Sequence, residues 1–326
     1  MTPSVRSRLW ASVIAFALGF GTANYGILAI TGPDRWLWVV VAVVLMLTGA
    51  AGVLFADTTR AVSFWAVLGL ELLVVYVLVP LLWTFTVATT PAGATPRSVW
   101  PQDVTWSAFD GAIRSDTLRD AAGTSFLVAG LATVIAMLLA APAAYALVRL
   151  PVWGRRLVYG LVVASLLVPV VALVGPFADQ LISLDAYGSR LSLVVPTLVI
   201  TLPLAIWLSV TLFRDAPWGL LDAVRADGAT RLQVLRRFAV PQLGPGLVAV
   251  ALLVFVAACN DFVIGAGLAA GGSSVPLPAT LMLTAGRVDD SSTAIAAAGL
   301  LWLILPLALL LVLPRRINHL LGRSYR

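Results

Sequence analysis

Eight stretches of this chain are long and apolar enough to cross a lipid bilayer, and they decide its fold before any single residue is weighed. A spanning helix needs about 20 mostly apolar residues. The candidates are Leu9–Ile30, Trp36–Ala56, Val62–Ala88, Ala121–Val148, Leu157–Phe177, Leu191–Phe213, Pro245–Ala270 and Thr293–Leu313. The third and fourth exceed what a bilayer requires and are expected to tilt or overrun it. Composition agrees, with 60% hydrophobic and only 11% charged residues, against about a quarter charged in a soluble domain. The fold expected is therefore all-α and integral to the membrane. Arg6 and Arg8 precede the first run as they would in a signal peptide. That run is long enough to span and no convincing Ala-x-Ala site follows it, so a retained first helix is expected.

Charge sets the orientation. All 21 basic residues are arginine, because the chain has no lysine. With the N-terminus inside, only Arg35, Arg97, Arg114, Arg119, Arg190 and Arg287 fall outside, and the other fifteen face the cytoplasm. Positive loops stay inside, so an even number of spans places both termini in the cytoplasm. The net charge of +6 is thus a membrane-topology signal rather than a nucleic-acid one. The scarcity of lysine and of glutamate, of which Glu71 is the sole example, reads as genome composition. Cys259 and His319 are the only residues of their types, so neither an internal disulfide nor a Cys/His metal site can form. Without paired carboxylates on a helical face, nothing supports a membrane enzyme.

Three external segments are expected. Thr89–Asp120 carries Trp100, Trp106 and Phe109, which suit the headgroup level as anchors or an external protein as a contact surface. Ala178–Arg190 reads as a short loop, and Gly271–Ser292 as a flexible one bearing Arg287, Asp289 and Asp290. No internal repeat is evident. The polar run Ala56–Ala61 separates the first two spans from the rest, giving an accessory pair at 1–61 and a core at 62–326.

One cytoplasmic interruption differs from a plain loop. Asp215–Pro245 is polar, arginine-rich and helix-forming. Asp215 and Pro217 suit a helix start. Leu220, Leu221 and Val224 then fall on one face, and Gly228 ends the helix as glycine commonly does. Thr230 and Gln233 have capping-box spacing. A second helix comes next with Leu232, Leu235 and Phe238 three apart, Arg231, Arg236 and Arg237 around it, and Pro241 at its end. Two short helices hinged at Gly228 result. By physics alone they could lie on the membrane surface or dock a soluble partner.

The order of residues favours docking. Asp222, Ala223, Val224, Gly228, Phe238, Val240 and Pro241 keep the spacing of the EAA motif (E-A-A, three residues, Gly, nine residues, I-x-L-P), and the segment resembles that motif in ABC importer permeases. Asp227, Gly228 and Ala229 resemble the D-G-A of the maltose-type carbohydrate permeases. Asp222 for Glu, Val224 for Ala, Phe238 for Ile and Val240 for Leu are departures that keep charge sign or apolarity. Ala143–Arg156 resembles the A-Y-A-L-A-R…G-R-R run of the family, and Asn260, Asp261 and Phe262 resemble its W-N-D/E-F, with Cys259 in place of Trp. Pro306 and Arg315–Ile317 also fit. The likeness covers about Phe64 to Arg316 and implies a type I ABC importer transmembrane domain, a six-helix core with two N-terminal helices added.

What the resemblance implies is specific. Two permease subunits, the second expected to be a different chain, would enclose a path. A dimer of ATP-binding subunits would sit beneath them, and an extracellular solute-binding protein would deliver the substrate. The hairpin, through Asp222, Ala223, Asp227, Gly228, Ala229, Leu232, Phe238 and Pro241, would couple to the ATPase. No cofactor is expected on this chain, ATP belonging to the partner. Independently, a P-loop needs its lysine to reach the phosphates, and this chain has none. Asp222 could contact or orient toward the ATPase, or be a solvated charge. Arg225, Arg231, Arg236 and Arg237 could meet ATPase acids or anionic headgroups.

Asp261 lies inside an apolar span, where an ionisable group costs at least about 2.5–3.5 kcal/mol. With Asn260 it would line a translocation path, or else pair with another helix. Glu71 reads as structural. Thr197, Thr201, Ser209 and Thr211 could bind sugar hydroxyls or their own backbone. Pro142, Pro169, Pro196, Pro203 and Pro306 predict kinks or breaks. A carbohydrate is the expected cargo, with a polyamine, ferric ion or phosphodiester as the alternative. A self-contained secondary transporter would have to rely on Asp261 and Glu71 alone.

Overall fold

The structure is a computed structural model, and it describes residues 64–96, 100–101, 104–149, 153–269, 274–285 and 291–321, with residues 14, 18–19, 42–46 and 49 before them. The spans expected at Leu9–Ile30 and Trp36–Ala56 therefore lie almost wholly outside the described residues, as do Arg287, Asp289 and Asp290. No strand occurs among the described residues, and their helices are α1 (Phe64–Thr89), α2 (Ser107–Arg114), α3 (Asp116–Arg149), α4 (Arg155–Ser165), α5 (Val171–Ser183), α6 (Val194–Arg214), α7 (Trp218–Ala226), α8 (Arg231–Gln242), α9 (Gly244–Cys259), α10 (Val263–Leu268), α11 (Leu277–Ala285) and α12 (Ser291–Leu321). Two compact units divide the chain, Met1–Asp110 with Ser292–Leu300, and Gly111–Ser291 with Leu301–Arg326.

In the first unit, the segment leading into α2 folds back to close the end of α1. Thr105 donates its backbone N–H (2.8 Å) and its hydroxyl (3.2 Å) to the Thr89 carbonyl. Trp106 packs edge-on to Phe85 at 6.2 Å and against Phe109 at 5.4 Å.

The second unit is built on α3 and α6, which make the most extensive helix pair, with α9 laid against both. Spacing explains the closeness. Ala132, Ala136, Ala140 and Ala144 recur every fourth residue of α3 and all are fully buried. On α6, Thr197, Thr201, Ala205, Ser209 and Phe213 keep the same period and are buried too. Residues four apart share a helix face, and small side chains there let two backbones approach, which is how membrane helices associate without a hydrophobic drive between them. The opposite side of α3 shows Leu131, Val134 and Leu138 exposed. Three buried clusters succeed one another along α3, at Val128 and Ala132, at Ala136 and Ala140, and at Ala144 and Tyr145. Leucine in place of Ala140 must displace α6, an overpacking that costs about 1–3 kcal/mol. We expect Ala140→Leu to lower the midpoint of a thermal melt followed by size exclusion in detergent, and Leu138→Ala on the exposed face to leave it in place.

The structure corrects several boundaries. The single span expected at Leu157–Phe177 is two helices, α4 and α5, separated at residues 166–170. Pro169 sits in the gap, where it lacks an N–H and biases the preceding residue away from helix. The loop expected from Ala178 is accordingly helical to Ser183. Pro142 and Pro203, by contrast, stay inside continuous helices. The flexible loop expected at Gly271–Ser292 contains α11, whose first N–H, on Leu277, donates to the Ser125 hydroxyl oxygen at 2.8 Å. Among the described residues, three helices are long and apolar enough to cross a membrane, Asp116–Arg149, Leu191–Arg214 and Ser292–Leu309, or four if Arg231–Gln242 and Gly244–Cys259, bent by 77°, count as one.

Candidate functional site

The polar run after α6 folds as the expected hairpin, and each of its joints has a visible cause. Asp215 caps the end of α6, so Pro217 takes the position before the first turn of α7 rather than a place within it. At the other end of α7 the chain reverses at Gly228, whose φ is +94°. Gly228 N–H bonds the Arg225 carbonyl at 3.0 Å and Ala229 N–H bonds the Val224 carbonyl at 3.3 Å. That pair of bonds satisfies carbonyls the helix end leaves open, and the arrangement needs glycine at the left-handed position. Thr230 and Gln233 then close a reciprocal capping box, at 3.3 and 2.8 Å.

Helix α8 departs from the expected face. Val234–Ala239 is π-helical, closed by bonds five residues apart instead of four. Val234 and Ala239, five apart, come onto one side and are buried with Leu235 and Leu221 against Tyr145, Val210, Phe213 and Leu247. Leu232 (61%) and Phe238 (40%), expected beside Leu235, are exposed instead, as is Leu220 (57%). Pro241 does not end the helix. Leu243 N–H still reaches the Ala239 carbonyl at 2.9 Å, and the chain bends there into α9.

The hairpin is also gripped by charge. Arg149, the last residue of α3, donates from Nη2 to Asp222 Oδ1. Its guanidinium lies 4.9 Å from the ring centre of Trp218. Trp218 Nε1 donates to the Phe213 carbonyl at 3.0 Å, and its ring lies 6.1 Å from that of Tyr145. Arg225, Arg231, Arg236 and Arg237 are all exposed.

A second polar feature interrupts the apolar run after Gly244. α9 stops at Cys259 and α10 begins at Val263. Asn260 turns its amide back, Nδ2 donating to the Val256 carbonyl at 2.8 Å. Asp261 Oδ2 accepts the Ile264 N–H at 3.2 Å, starting α10. The carboxylate borders a narrow cleft lined by Ser125, Thr197, Leu193, Ile264, Gly265 and Pro276, among others.

The family model described as "Binding-protein-dependent transport system inner membrane component" matches residues 132–326. The chain belongs to this family. It is 33% identical to the trehalose transport system permease protein SugB of Mycobacterium tuberculosis, over 79% of this chain and 95% of that protein. It is 30% identical to the sulfoquinovosyl glycerol transport system permease protein SmoH of Agrobacterium fabrum, over 74% and 86%. Its fold resembles that of a bacterial ABC transporter involved in the import of the acidic polysaccharide alginate, with a TM-score of 0.60 and 18% identity, over 82% of this chain and 98% of that one.

Placed in this permease, the motif residues Asp222, Ala223, Asp227, Gly228, Leu232, Phe238 and Pro241 are all exposed, and Ala229 is half-buried. Of the hydroxyls considered as sugar ligands, the three threonines bond their own backbone. Thr197, Thr201 and Thr211 donate to the carbonyls four residues back, at 2.8, 3.0 and 3.1 Å. Ser209 is fully buried on the stripe of α6 that faces α3. Asp261 does line the cleft and also starts α10, whereas Asn260 is not among the cleft residues and turns its amide back to close the end of α9. Glu71 falls within α1. Sequence reading missed Arg149 and Trp218 as hairpin contacts. The signal was a basic residue closing one helix and an acid in the middle of a later polar one, 73 residues apart.

Proposed function

We propose that this permease is the membrane subunit of an ATP-driven carbohydrate importer, forming half of the path and taking its energy from a separate ATPase docked on the α7–α8 hairpin. The two faces of the hairpin carry this reading. One is buried in the protein, while the other presents Leu220, Leu232 and Phe238 to solvent among exposed arginines. A partner that covered these exposed apolar side chains would gain from their removal from water. Fully covering a leucine or phenylalanine gains about 1.5–3 kcal/mol. The missing lysine leaves ATP binding to the partner. The arginine distribution supports a plasma-membrane topology with the hairpin and both termini in the cytoplasm.

The same reading gives the permease a second permease chain, a dimeric ATP-binding subunit and an extracellular binding protein as partners. The names of the similar permeases point to a glycoside as cargo. Asn260 and Asp261, at the helix break beside the cleft, are the proposed lining of the path. On this reading residues 1–61 are an accessory pair of spans, 62–326 the permease core and 215–241 the coupling hairpin.

The test is purification of the tagged permease from its native membrane in mild detergent. An ATPase is expected to copurify. Leu232→Glu puts a charge where a covered leucine is required, and since 1.4 kcal/mol is tenfold, retained ATPase should fall about tenfold or more. ATP-dependent trehalose uptake should be lost with it. A single chain that stays monodisperse and transports without an ATPase would overturn the proposal.

A further inference from the structure

A coupling hairpin must pass its displacement on to the packed helices, and apolar contact alone resists sliding poorly. Arg149 supplies a directional contact. It ends α3, the helix on which the second unit is built, and it reaches two residues of α7, Trp218 by its planar face and Asp222 by its edge. Trp218 and Asp222 are four apart, hence on one face of α7. An arginine suits this double role, because its planar guanidinium stacks on an aromatic face while donating along its edge. The pair sits at the rim of the fold, with the Arg149 side chain 33% exposed and Asp222 49%. Trp218 is held in turn by the Phe213 carbonyl at the end of α6. The α7 helix is thereby tied to the ends of both α3 and α6, although Asp215–Pro217 is its only covalent link to α6.

We infer that Arg149 is a positioning residue that latches α7 to the end of α3, so that the hairpin and the α3–α6 pair move as one body. The latch is a property of this chain by itself, and its meaning for transport rests on the coupling role proposed above. Asp222 is also given a partner within its own chain, so its first task is to hold the hairpin rather than to face an ATPase.

The experiment uses the full-length permease in lipid nanodiscs with Cys259, its only cysteine, replaced by alanine. Spin labels at two exposed positions, Leu138→Cys on α3 and Leu220→Cys on α7, report the distance between the helices by double electron–electron resonance. A single narrow distance is expected for the parent. Arg149→Gln and Asp222→Asn are each expected to lose it in favour of several distances. Arg149→Lys, which keeps the charge without the stacking plane, should fall between. The exchanged pair, Arg149→Asp with Asp222→Arg, should recover part of the narrow component, which general damage to the fold would not allow. A narrow, unshifted distance in both single variants would overturn the latch. Because no ATPase is present, failure of copurification in the earlier test sinks the coupling role and leaves this result standing.

Discussion

Gly228→Val is expected to yield a permease that inserts and purifies normally but no longer transports. Nothing lies within 4 Å of a Cβ built on Gly228, so the substitution meets no steric clash. Its whole cost is the backbone at φ +94°, a region where a β-branched residue is an outlier. Strain of this kind costs about 1–3 kcal/mol, enough to reduce the population of the native turn about 5- to 150-fold. The turn sets the angle between α7 and α8, so the exposed Leu220 on α7 shifts relative to Leu232 and Phe238 on α8 while the packing of the other helices is untouched. Transport and ATP hydrolysis should be measured together in the reconstituted complex. Hydrolysis without substrate stimulation, with transport down at least about fivefold, is the expected pair. Gly228→Asn, which tolerates the left-handed region better, should lie between. Normal substrate-stimulated hydrolysis in the valine variant would show that the hinge does not set coupling.

Gly267→Ala is expected to be the most destabilising single-methyl addition in the second unit. Its Cβ would fall 2.3 Å from Val174 Cγ1 and 3.2 Å from Cγ2. Both are branches of one stiff side chain on the facing helix α5, so neither can turn away. Overpacking of this type costs about 1–3 kcal/mol. Gly246→Ala would meet the Leu212 δ-methyls at 2.5 Å, the mobile end of a longer side chain, and should cost less. Gly130→Ala, with nothing within 4 Å in the middle of α3, should stabilise by about 0.5–1 kcal/mol. Melting midpoints of the three variants in one detergent test this order, and equal midpoints for Gly267→Ala and Gly130→Ala would refute it.

The second of these sites could not have been found in the sequence, and the first could. Gly228 comes after an amphipathic helix and precedes a capping box, so local residues alone specify its turn. Gly267 matters only because Val174, 93 residues earlier, packs onto it. The same division holds elsewhere. The apolar runs of α3 and α6 and the capping box at Thr230 are local signals and fold as read. The break at Pro169 was visible as a proline inside an apolar run, but its outcome depended on context, since Pro142 and Pro203 remain within intact helices. The exposed positions of Leu232 and Phe238 were misplaced because a three-residue spacing presumes an α-helical register, and Val234–Ala239 winds more widely. Arg149 and Asp222 are each plain in the sequence, and only the folded chain joins them.

The 77° bend at Leu243 makes α8 and α9 the two arms of a bell crank. One residue separates them, and α9 is 16 residues long, about 24 Å at 1.5 Å per residue. If the bend holds its angle, tilting α8 by about 5° in the plane of the two helices swings the far end of α9 by about 2 Å over that length. That far end is where Asn260 and Asp261 interrupt the helix beside the cleft. Rocking of the body that the hairpin shares with α3 and α6 is thereby turned through the bend into a sideways stroke at the carboxylate.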